Sequence, residues 1–122
     1  MSEGINEGKR KEIGNFVLSY RLIHAGRVLK DISIFYRDKV LVRGILDFIE
    51  VSAGVDAFLA GRMIPGERFG RFMVPEYGKG EKILLRIDLK NGDKVYLDRF
   101  EATLFNKLSR IIDKHITMSD LD

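Results

Sequence analysis

Residues 81–116 read EKILLRIDLKNGDKVYLDRFEATLFNKLSRIIDKHI, and their local signals agree from end to end. Ile83, Leu85, Ile87 and Leu89 alternate with Lys82, Leu84, Arg86, Asp88 and Lys90. That period of two marks a strand with one buried face. Val95 and Leu97 resume the pattern beyond Asn91-Gly92. Asn-Gly usually signals a two-residue hairpin loop, but parity argues otherwise. A two-residue loop sets Ile87 opposite Tyr96 and leaves Val95 and Leu97 on the polar face. A three-residue loop, Lys90-Asn91-Gly92, pairs Leu89 with Asp93, Ile87 with Val95 and Leu85 with Leu97, all on one face. It requires Gly92 in the left-handed region. Asp98-Arg99-Phe100-Glu101 then has the form of a capping box. Leu104, Phe105, Leu108, Ile111, Ile112 and Ile116 follow at helical spacing, a stripe wide enough to need a sheet beneath it.

Upstream, Phe16, Leu18, Tyr20 and Leu22 alternate with Asn15, Val17, Ser19 and Arg21, which predicts a strand. His24-Ala25-Gly26 supplies a turn, Lys30–Tyr36 a second strand, Arg37-Asp38-Lys39 a turn, and Lys39–Arg43 a third strand. Residues 45–55 fit a helix through Ile45, Phe48 and Ile49. Gly44 and Gly54 cap and support a helix poorly, so the reading leans to a strand, with a short helical turn over 55–59. Residues 60–80 hold both prolines and five glycines, Gly61, Gly66, Gly70, Gly78 and Gly80, the punctuation of loops. Yet Met63, Ile64, Phe69, Phe72, Met73, Val74 and Tyr77 make the segment strongly apolar. Either it folds over the core, with 71–74 as a short strand, or it presents these groups to a partner.

At 122 residues the chain fits a single domain with a sizeable core. The boundaries read as a flexible arm over 1–12, one α+β domain over 13–118, and a frayed end over 119–122. No apolar run spans a bilayer and no secretory signal is apparent, which points to the cytoplasm. The chain has no Cys, so disulfides, thiolate catalysis and Cys-ligated metals are excluded. Trp and Gln are also missing while charged residues reach 32%, a composition that suits a thermophile. The 21 basic and 18 acidic side chains leave a net charge of +3, and the pI is about 9.2. Such a balance favours anionic partners, although the mixed charges also serve solubility.

The order of meandering strands, an irregular connection, a hairpin over Lys82–Leu97 and a helix over Asp98–Ile116 resembles the pleckstrin-homology-like (PH-like) fold. The resemblance reaches back loosely to Phe16. It implies a strongly bent antiparallel sheet or partial barrel with one C-terminal amphipathic helix, and no enzyme activity. The family's phosphoinositide-binding members carry a Lys followed by closely spaced Lys/Arg-x-Arg. Here Arg21, Arg27 and Lys30 are present, but Asp31-Ile32-Ser33-Ile34 follows Lys30. That departure argues against a phosphoinositide lipid as ligand. An open curled sheet with the helix across one face is the alternative architecture.

No pattern carries catalytic chemistry. His24 and His115 stand alone, without metal-ligand spacing. No serine lies in a nucleophile elbow. Spacing does not pair the acids Asp47, Glu50, Asp56 and Asp88. The glycines at 66, 70, 78 and 80 lack the context of a phosphate loop. The one constellation above background is Arg62, Arg68 and Arg71 interleaved with Phe69 and Phe72. Arginine forks and aromatic faces anchor partners; the structural alternative packs the rings inward. These residues define the expected contact of a non-enzymatic binding or adaptor module. Protein is the expected partner, nucleic acid the alternative, with no cofactor and no metal. An exposed sheet edge offers a route to a homo-oligomer.

Overall fold

A computed structural model describes residues 6–24 and 28–120. The chain follows one plan twice: four antiparallel strands, then a helix. The first unit is β1 (Asn6–Ile13), β2 (Phe16–Ile23), β3 (Val28–Tyr36), β4 (Lys39–Arg43) and α1 (Ile45–Leu59). The second is β5 (Arg68–Phe69), β6 (Phe72–Met73), β7 (Leu85–Asp88), β8 (Lys94–Leu97) and α2 (Arg99–Asp120). Each sheet runs in chain order and neither closes into a barrel. No described helix is long and apolar enough to cross a membrane.

The first sheet follows its alternation. Phe16, Leu18, Ile32 and Ile34 are buried on one face, with Tyr20 and Tyr36 beside them. Asp31 sits at φ 57° where the register between β2 and β3 shifts. Aspartate tolerates this left-handed bulge better than most residues. The expectation of an arm over 1–12 is corrected for residues 6–12. They form most of β1, pairing from Asn6↔Ile23 to Ile13↔Phe16. Lys9, Arg10 and Lys11 lie exposed along this strand, and such charge discourages strand addition at an edge. Residues 1–5, and Ala25 and Gly26 of the expected turn, lie outside the described residues.

The strand reading of 45–55 is also corrected. Phe48, Val51, Val55 and Phe58 are all buried on one helical stripe of α1. Ile45, Leu46 and Ile49 fall on the opposite, exposed side, so the apolar residues show no clean period. Gly44, at φ 93°, provides no side-chain cap. The Asp47 carboxylate instead accepts the Arg43 amide at 2.8 Å, tying the first turn to the end of β4. Gly54 is required by packing: a Cβ there would lie 2.4–2.6 Å from the Phe72 ring.

In the second unit the hairpin register agrees with the parity argument. Leu85 pairs with Leu97 and Ile87 with Val95. The Leu89 amide donates to the Asp93 carbonyl at 2.8 Å, and Gly92 has φ 95°. Ile83, expected on the buried face, precedes β7 and is partly exposed. Asp98 caps α2 by accepting the Glu101 amide at 2.8 Å. The Glu101 carboxylate does not complete the reciprocal box; it accepts the Tyr36 hydroxyl at 2.6 Å and joins α2 to the first sheet. Phe105, Leu108 and Ile112 are fully buried, flanked by half-buried Leu104 and Ile111. The Ile116 side chain lies outside the described residues. Residues 119 and 120, within the end expected to fray, belong to the last turn of α2.

Candidate functional site

Both helices pack on the apolar inner faces of the sheets, and this leaves an outward face whose composition the register fixes. Across the first sheet one outward row reads Glu12, Val17, Phe35 and Val40. The next reads Arg10, Ser19, Ser33 and Arg43, and beyond it Arg21 pairs with Lys30. Val17, Ser19, Ser33, Phe35 and Val40 are half-buried by their sheet neighbours; Arg10, Lys30 and Arg43 are exposed. Four cations on this face meet two carboxylates: Arg10 pairs with Glu12 at 3.0 Å and Arg21 with Asp31 at 2.6 Å. The face is therefore apolar along one row, hydroxylated in the middle of the next, and positively charged around them.

The second sheet carries a shorter row, Arg68, Met73, Arg86 and Tyr96. Asp88 lies among these arginines, 2.7 Å from Arg68 and 3.0 Å from Arg86. Desolvation pushes its carboxyl up, but the two guanidinium groups outweigh this and hold it below the usual carboxylate range. Between the β3–β4 turn and β8 lies an open cleft of about 430 Å³. Tyr36, Arg37, Lys39, Lys82, Lys94 and Tyr96 are among its lining residues. Arg37 sits over the Tyr36 ring, 5.4 Å from its centroid. Desolvation, and then the Glu101 carboxylate, raise the Tyr36 hydroxyl above its ordinary value, so it stays protonated as a donor.

The residues expected to meet a partner separate. Phe72 is buried, with only 4% of its surface exposed, and its ring packs against Gly54. Arg71 turns inward: its Nη1 lies 2.5 Å from Asp47 and 3.1 Å from Glu50, and its Nε donates to the Asp88 carbonyl at 3.0 Å. Desolvation lowers the Arg71 pKa, but the two carboxylates outweigh it and raise the group overall. Both residues are thus corrected from contact to framework, because the tight β5–β6 turn directs them onto α1. Arg68 is exposed but paired with Asp88, while Phe69 and Arg62 are exposed. Phe69, Leu46 and Ile49 are large apolar side chains left 57%, 80% and 48% exposed.

The outward face of the first sheet was missed by the sequence reading, although it left a signal. Val17, Phe35 and Val40 are apolar at positions where the alternation predicts a wet face. Arg10 carried no signal, because β1 is charged on both sides. Among the described residues no three His, Asp or Glu side chains converge to hold a metal. In comparisons with protein-family models, curated proteins and solved structures, nothing matches the chain.

Proposed function

We propose that this chain binds single-stranded nucleic acid on the outward face of its first sheet. The observation that carries the reading is the pairing of two rows: apolar Val17, Phe35 and Val40 beside Arg10, Ser19, Ser33 and Arg43. Strands lie about 4.8 Å apart, so the face is a broad platform. Unpaired bases stack on its apolar row, and phosphates meet the surrounding cations. Serine hydroxyls serve either donors or acceptors on base edges. A duplex is disfavoured, because reading its major groove takes a protruding helix or ribbon, and this face offers neither.

The test is a fluorescence-polarisation titration of a labelled oligothymidylate at several salt concentrations. Among the described residues, Lys30 and Arg43 are the cations of this face not matched by a carboxylate, and with two phosphate contacts log K should fall against log salt with a slope of about −1.4. Duplex of the same length should bind more weakly. Affinity that ignores salt, or preference for duplex, would reject the reading.

A second reading, protein binding, rests on α1. It is apolar on both sides, and a surface helix of that kind marks an interface. Its outer side offers exposed Ile45, Leu46 and Ile49. Sedimentation of the chain alone divides this reading. Self-association that Leu46→Asp abolishes assigns the face to a second copy; a monomer leaves it to a different protein.

A further inference from the structure

The two sheets part between β4 and the turn at residues 89–92, leaving a groove of about 250 Å³. Val40, Leu41 and Leu89 give it apolar walls, and Arg43, Lys90 and Asn91 also line it. Val40 and Arg43 belong to the outward face of the first sheet as well, so the two surfaces are continuous. The one carboxylate lining the groove, Asp47, is already matched by Arg71. Lys90 approaches Asp47 only to 4.0 Å and is otherwise exposed. The groove is thus apolar within and cationic at its mouth. It is also smaller than the roughly 300–1,000 Å³ of sites for drug-sized ligands.

We infer that this groove receives one unstacked base of a strand lying across the first sheet. The inference rests on the nucleic-acid reading above. Its chemistry is that of single-strand recognition: a splayed base leaves water for an apolar slot, and a guanidinium plane stacks beside it. Arg43 and Lys90 engage the phosphates that flank the inserted base. A strand bound to the sheet alone stacks on Phe35 and leaves the groove empty.

The experiment uses the full chain and an oligothymidylate carrying photoreactive thiothymidine at successive positions. Cross-linked peptides are mapped by mass spectrometry. A second series replaces one nucleotide at a time with an abasic residue. Cross-links to residues 40–43 or 89–91 are expected from one position, and the abasic change there should cost about tenfold in affinity. Lys90→Ala should weaken binding and reduce the salt slope by about 0.7, leaving the melting temperature unchanged. Tight binding with cross-links confined to Val17 and Phe35, and a flat abasic series, would overturn the groove assignment while sparing the sheet. Absence of any binding would overturn both.

Discussion

Arg71→Ala should unfasten the second sheet from α1. Arg71 and Asp47 side chains are only 13% and 5% exposed. Removing the arginine leaves a buried carboxylate whose remaining partners are the Arg43 amide at 2.8 Å and the Lys90 ammonium at 4.0 Å. Breaking a buried pair from one side costs about 3–5 kcal/mol. Asp47 lies in the first turn of α1, where the helix dipole offsets about 0.3–1 kcal/mol. The net loss is then about 2–5 kcal/mol, which for a domain of this size lowers the melting temperature by roughly 6–20 °C. Urea denaturation followed by circular dichroism measures it. Asp47→Asn in the Arg71→Ala background should recover more than half, because the stranded charge is gone while the amide oxygen still accepts from Arg43. A single variant within about 0.5 kcal/mol of wild type, or a double no better than the single, would refute the clamp and restore Arg71 as a surface contact.

Gly54→Ala sets a Cβ against the Phe72 ring at 2.4–2.6 Å. It should cost about 1–3 kcal/mol by overpacking, read in the same denaturation experiment; a stabilised variant would show that the ring yields. Gly92→Ala meets no neighbour within 4 Å, so its cost, about 1 kcal/mol, is conformational. An unchanged midpoint would argue against the left-handed turn. Asp113 has a carboxyl raised by desolvation and by Asp56. The folded state therefore holds this proton more tightly than the unfolded chain, and its contribution to stability declines as pH rises from the ordinary carboxylate value through the raised one. Asp113→Asn should remove that decline and stabilise the protein at neutral pH, a pattern that denaturation midpoints across pH would reveal or exclude.

What could be read from the sequence is what one periodicity determines. In the β7–β8 hairpin, Ile87, Val95, Leu85 and Leu97 leave a single register that buries all four. In β2 and β3, alternation with β-branched and aromatic residues is equally plain. β1 escaped because Lys9 and Lys11 alternate with Arg10 and Glu12, so neither face is apolar and its pairing comes from β2. α1 escaped because Phe48 and Val51 face the core while Leu46 and Ile49 face out, which blurs the helical period. Gly54 reads as a breaker until Phe72 is placed against it. The candidate site was illegible for a related reason. Arg71 and Phe72 have the chemistry of a contact, and only the β5–β6 turn and the Asp47 carboxylate turn them inward. Phe35, by contrast, is ordinary in sequence and becomes notable only beside Val17 and Val40.

The most direct test is the oligothymidylate titration carried out in parallel on wild type, Phe35→Ala and Arg43→Ala, at low and high salt. The account predicts that Phe35→Ala weakens binding by about 1–3 kcal/mol with the salt slope unchanged, since stacking releases no counterions. Arg43→Ala should weaken binding and reduce the slope by about 0.7. Wild-type protein that fails to bind, or binding indifferent to both substitutions, would contradict the assignment of the sheet face.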